Sequence, residues 1–112
     1  KVWWGPNAEG PPNHAHGGST AAVLDHMMGT TCWAEGYPVV SATITIDFIR
    51  GLPLIELYTV ETWVEKIEGN KIYAQGRIYL DDDEKPFVTG HGLFIKIPAE
   101  KLERMVEIVN RP

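Results

Sequence analysis

Between Gly18 and Trp33 the chain reads Gly-Ser-Thr-Ala-Ala-Val-Leu-Asp-His-Met-Met-Gly-Thr-Thr-Cys-Trp, an apolar run holding one carboxylate. Ala21, Ala22, Val23, Leu24, Met27, Met28, Cys32 and Trp33 cover nearly the whole circumference of a helix. A helix that is hydrophobic all round belongs inside a fold, not on its surface. Asp25 then falls near the middle of an enclosed helix. Burying a carboxylate without a partner costs several kcal/mol, and Asp is a mediocre helix former. It therefore either bonds a neighbouring strand or does chemistry, and the apolar setting favours chemistry.

The rest of the chain has to supply the enclosure. Val2-Trp3-Trp4 reads as a short first strand or as an anchor for the loop behind it, where Gly5-Pro6-Asn7 and Gly10-Pro11-Pro12-Asn13 exclude regular structure. Gly36-Tyr37-Pro38 is expected to end the helix. From Val39 to Ile49 the residues alternate, with Val40, Ala42, Ile44, Ile46 and Phe48 on one face and Ser41, Thr43, Thr45 and Asp47 on the other. That is a strand. Arg50-Gly51-Leu52-Pro53 turns the chain into a second strand, Glu56 to Lys66, and Glu68-Gly69-Asn70 makes a hairpin into a third, Lys71 to Leu80. Asp81 to Pro86 reads as a charged turn before a strand from Phe87 to Ile97. Leu102, Met105, Val106 and Val109 mark one face of a final short helix. One helix followed by a run of strands means α+β with an antiparallel sheet. A sheet that must bury one very apolar helix wraps it, which is the layout of the hot-dog fold.

Length and composition narrow the function. A chain of 112 residues and 12.5 kDa makes one domain, 1–112, although residues can precede Lys1, which is not a Met. Ten basic and fifteen acidic side chains leave a formal charge of −5, which argues against nucleic acid or an anionic membrane as partner. The single cysteine, Cys32, fits a reducing, cytoplasmic setting and reads as core. No apolar run is long enough to span a membrane, and there is no signal-peptide pattern. His14, His16, His26 and His91 have no metal-ligand spacing, and Asp81 to Glu84 lack the calcium-loop glycine. Neither a metal nor a cofactor is expected.

The glycine-rich start of the helix is the second candidate for chemistry. A helix N-terminus offers unpaired N–H groups and partial positive charge. Gly17 and Gly18 let a ligand approach that backbone closely, so the site can hold a carbonyl oxygen as it turns negative. The alternative is a glycine-rich loop that merely starts a helix. Eight residues separate Gly17 from Asp25, about 12 Å along one helix. The two cannot act on one carbonyl within one chain. They can if two helices pack antiparallel across a dimer, and Gly29, one turn beyond Asp25, would allow that approach.

Gly10-Pro11-Pro12-Asn13-His14-Ala15-His16-Gly17-Gly18, followed by Leu24-Asp25 and Gly29, resembles the hot-dog acyl-CoA thioesterases, in the group that includes mammalian long-chain and bacterial phenylacetate-pathway enzymes. Their pattern is a His-Gly-Gly with a catalytic Asp nine residues after the His, and Asp25 stands at that distance from His16. The resemblance continues through Ser41 to Phe48, Glu68 to Lys71 and Gly92-Leu93-Phe94, roughly residues 9 to 97. It implies that Asp25 acts as general base or nucleophile and that the Gly17 N–H holds the oxyanion. His16 would orient the substrate or simply cap the helix. Ser41 would bond the attacking water or the carboxylate, or be an ordinary strand residue. Gly18, Asp47, Arg50, Asn70 and Lys71 become candidate substrate or CoA contacts. The implied assembly is a homodimer or a homotetramer on an acyl-CoA substrate.

Two departures stand out. Gly51 replaces the usual Pro after the Arg, and Asn70 replaces a frequent basic residue, leaving Lys71 and Arg50 for the CoA phosphates. Trp33 and Trp63 are expected in the core or along an acyl channel. A dehydratase would instead pair a His with a carboxylate, which the His16-to-Asp25 spacing disfavours. An acyl-CoA sensor without catalysis would lack the helix carboxylate.

Overall fold

The computed structural model describes residues 1–109; residues 110–112, the end of the expected domain, lie outside them. The elements run β1 (Val2–Trp4), α1 (Gly17–Ala34), β2 (Val39–Phe48), β3 (Glu56–Glu68), β4 (Lys71–Leu80), β5 (Asp83–Lys96) and α2 (Ala99–Val109). The five strands form one antiparallel sheet in the order β1-β3-β4-β5-β2. Val2-Trp3-Trp4 is thus a strand, and β2 lies at the edge opposite it. The sheet packs on α1 through β2, β3, β4 and β5, the α+β hot-dog layout that the sequence implied.

Helix α1 is seated by residues four apart. Thr20, Leu24, Met28 and Cys32 are its buried positions, facing a core that includes Tyr58, Ile72, Ile78, Val88 and Phe94. Full burial of one such side chain is worth roughly 1.5–3 kcal/mol. The helix presses so closely that a Cβ on Gly76 would lie 2.9 Å from Leu24 Cδ2. A short hydroxyl pair, Thr31 Oγ1 and Thr62 Oγ1 at 2.5 Å, ties the helix to β3. At its far end Gly36 takes φ +92°, a backbone state that glycine adopts without steric cost. Aromatic edges brace β1 and the loops: the ring of Tyr58 meets Trp4 at 5.5 Å and Phe87 at 5.4 Å.

The helix is not enclosed on every side, contrary to the reading of its apolar circumference. One sheet covers one stripe, so Asp25 is half-buried and His26 and Trp33 are exposed. Trp33 is 48% and Trp63 37% exposed, so neither is a core aromatic. Cys32 is fully buried, as expected.

Strand β2 also departs from simple alternation. Ser41 lies opposite Phe94, but Thr43 lies opposite Leu93, so a bulge falls at Ala42. Paired residues share a face, and a bulge switches which parity points inward. Ser41 therefore joins buried Phe94 on the helix side, as Ile44 and Ile46 do beyond the bulge, while Val40 is 51% exposed. The charged turn is shorter than expected, because β5 already starts at Asp83. The register shift between Ile78 and Leu80 absorbs Pro86. Helix α2 forms where Leu102, Met105, Val106 and Val109 predict it, with none of its residues buried.

Candidate active site: two half-sites on one helix

The loop before α1 delivers the first half-site. Ala15 N–H donates to the Leu52 carbonyl at 2.8 Å and His16 N–H to the Ala8 carbonyl at 2.7 Å, fixing where the helix begins. His16 is the N-cap: its Nδ1 accepts from the Gly18 N–H at 2.9 Å, and its carbonyl accepts from the Ser19 N–H at 3.0 Å. The Gly17 N–H is engaged by neither bond. Capping is thus a role His16 demonstrably has. Gly18 serves the cap, and a Cβ there would come 3.0 Å from His16 Nδ1.

Beside Gly17 opens a cavity of about 440 Å³, lined mainly by apolar groups such as Ala15, Phe48, Leu52 and Val88. Its polar lining includes His14, Thr20 and Arg50. The Thr20 hydroxyl is already used, donating to the Gly17 carbonyl at 2.9 Å. Among the described residues the pocket is lined by no carboxylate. It can grip an apolar group and polarise a carbonyl at the helix N-terminus, but it has no carboxylate base of its own.

The second half-site lies farther along the same helix. Asp25, Gly29 and Trp33, on successive turns, line a groove of about 410 Å³ with Ser41, Val40 and Phe94. The bulge at Ala42 is what brings Ser41 to this side. Trp33 is steadied by its indole N–H, which donates to the Val39 carbonyl at 3.2 Å. Gly29 lies one turn beyond Asp25, as its spacing implied; the same spacing could have flagged Trp33, and His26 and Thr30 line the groove as well. Here there is a carboxylate and a hydroxyl, but no helix N-terminus. Gly17 and Asp25 thus open onto different cavities of one chain.

The remaining candidates are spread out. Arg50 borders the first cavity, but its Nη2 donates to Asp83 Oδ2 at 2.7 Å and to the Lys85 carbonyl at 2.6 Å. Its guanidinium stacks 3.7 Å from the Phe87 ring centre, and the buried Nε has no hydrogen-bond partner among the described residues. That hydrogen bond from Arg50 holds the Asp83 carboxyl below the usual carboxylate range. Asp47 is exposed opposite Thr89 on the sheet face away from α1, and Asn70 and Lys71 sit at the β3–β4 turn. None of these three lines either cavity. Among the described residues, no group of three His, Cys, Asp or Glu side chains could hold a metal ion. No described helix is long and apolar enough to cross a membrane.

Known proteins share this fold and sequence. The chain is 34% identical over 93 residues to the acyl-coenzyme A thioesterase THEM4 of Xenopus laevis, covering 83% of this chain and 42% of that protein. It is 31% identical over 97 residues to the THEM4 of Rattus norvegicus, covering 87% of this chain and 42% of that one. The chain therefore spans about two fifths of the length of these relatives. A solved structure described as thioesterase superfamily protein RHA08564 superposes with a TM-score of 0.81 at 32% identity, over 85% of this chain and 46% of that one. The family profile of the thioesterase superfamily matches residues 12–87, and the chain belongs to that superfamily.

Proposed function

We propose that this chain hydrolyses the thioester of an acyl-CoA to a free acid and CoA, as a homodimer or a dimer of such dimers. The observation that carries this reading is the division of the site. Asp25 and Ser41 line one cavity, and Gly17, the first residue of the helix, lines another. An antiparallel partner helix would bring the amide of one subunit to the carboxylate of the other. The free edge of β2 supports pairing, since a ten-residue edge strand exposing Val40 and Phe48 is a template for a second copy. The names of the curated relatives support the substrate class.

In this mechanism the thioester carbonyl lies against the Gly17 N–H of one subunit. Asp25 of the other takes a proton from water as the water oxygen bonds to the carbonyl carbon. Ser41 helps to hold that water. The tetrahedral adduct collapses, the C–S bond breaks, and the thiolate leaves with the proton returned by Asp25. A backbone donor of this kind is worth about 3–4 kcal/mol and a positioned base about 10²–10⁴-fold. His16, besides capping the helix, orients the substrate, while Lys71 and Asn70 are the candidates for the CoA phosphates, Arg50 being already bonded to Asp83 and the Lys85 carbonyl.

The test is thiol release from short, long and aromatic acyl-CoAs, comparing the wild type with Asp25→Asn. Turnover that collapses in the mutant is the expected result. Equal turnover in a folded mutant would remove Asp25 from the mechanism. Tight acyl-CoA binding without turnover would make the chain a binding module instead.

A further inference from the structure

The cavity beside Gly17 has one wall that the reaction leaves unexplained. His14 and Gly51 both line it. The His14 ring nitrogen Nδ1 lies 2.9 Å from the Pro12 carbonyl oxygen, and a carbonyl only accepts, so Nδ1 carries the hydrogen. The backbone beneath the ring is equally fixed. The His14 N–H donates to the Pro11 carbonyl at 2.9 Å, and its carbonyl accepts from the Gly10 N–H at 3.0 Å. The preceding Asn13 takes φ 63°, a left-handed state that Asn tolerates better than most residues. This side chain is held in place from both ends.

Gly51 is the other half of the arrangement. A Cβ at that position would fall 2.8 Å from His14 Cδ2 and 3.3 Å from His14 Nε2. Any larger residue must push the ring from its seat, and the bond to Pro12 prevents it from sliding freely. The glycine therefore does a steric job: it lets an imidazole come close to the backbone and close one side of an apolar pocket.

We propose that His14, seated on Gly51, is a specificity-determining wall of the pocket that takes the acyl group. The inference rests on the thioesterase reading above. An acyl chain whose carbonyl sits at Gly17 has this apolar cavity directly beside it, and its lining suits hydrocarbon better than the polar pantetheine arm. The ring then sets which acyl groups fit, by bulk. Gly51 acts only through His14, as a positioning residue.

The experiment measures kcat/KM on acyl-CoAs from short to long, with an arylacetyl member, for wild type, His14→Ala, Gly51→Ala and the double variant. Thermal unfolding checks that each folds. If His14→Ala does not, His14→Asn replaces it, being short yet still able to donate to the Pro12 carbonyl. Removing the ring is expected to move the preference by about tenfold toward longer or wider acyl groups, the scale of a change in one hydrophobic pocket. Gly51→Ala should lower kcat/KM on the best wild-type substrate, and the double variant should return to the His14→Ala profile. An unchanged profile in His14→Ala, or a Gly51→Ala loss that His14→Ala does not relieve, would overturn the proposal. If the wild type hydrolyses none of the panel, the thioesterase reading fails separately. Dissociation constants for the same acyl-CoAs then judge the wall: a shifted preference supports it, and an unchanged preference or no binding overturns it.

Discussion

The two cavities along α1 have opposite deficits. The one at Gly17 has a helix N-terminus, an apolar interior and, among the described residues, no carboxylate; the one at Asp25 has a carboxylate and a hydroxyl but no helix N-terminus. They are also built differently. The first rests on the capped helix start and the bonded loop before it, so its shape is set within the chain. The second lies on the uncovered flank of α1 beside the sheet's free edge strand. The contrast teaches that one sheet does not cover a helix that is apolar all round, and the proposed dimer would supply the rest of the cover.

The sharpest way to break this comparison is Asp25→Asn. Turnover should fall by about 10²–10⁴-fold with the melting temperature unchanged, since the side chain faces a groove and not the core. Its neighbour Leu24 lies on the other side of the helix and is fully buried. Leu24→Ala should lower unfolding free energy by about 2–5 kcal/mol, read from a denaturant titration.

The core around Tyr58, which lines neither cavity, gives a pH signature. Burial, with some help from the Glu56 carboxylate, pushes the Tyr58 phenol up to about 12. Between about pH 10, where an ordinary tyrosine titrates, and that value, the unfolded chain releases a proton that the folded one keeps. Stability should therefore fall with rising pH, by about 2–3 kcal/mol in total. Tyr58→Phe should flatten that slope in a series of melts, at the cost of the 2.5 Å bond to the Pro53 carbonyl. The smallest expected effect is Ser41→Ala. It should lower kcat by up to about tenfold, a value on the order of one lost hydrogen bond, and leave KM near the wild-type value.

Much of this was legible because the governing signals are local. Alternation located β2, the hairpin at Gly69 joined β3 to β4, Gly69 and Gly36 marked turns that do take positive φ, and Asp25 stood out against its apolar neighbours. What escaped depends on distant partners. The Ala42 bulge exists only in the pairing of β2 with β5, so strict alternation put Ser41 on the wrong face. The early start of β5 depends on Arg50, which reaches Asp83 and the Lys85 carbonyl across the loop. Trp33 and Trp63 looked like core because hydrophobicity alone does not say which side of a helix or sheet is covered. His14 showed only as part of the loop motif before the helix, because its seat requires Gly51, thirty-seven residues later.

The central claim is that one reaction centre takes its amide from one subunit and its carboxylate from another. Mixing two inactive variants tests it most directly. Asp25→Asn removes the base; Gly17→Pro removes the N–H at the first helical position, where proline is tolerated. Each alone should be nearly inactive. After equimolar mixing and subunit exchange, verified by mass, a two-fold dimer should regain about a quarter of wild-type thiol release, because each mixed dimer holds one intact centre. Exchange without any regained activity would contradict the account.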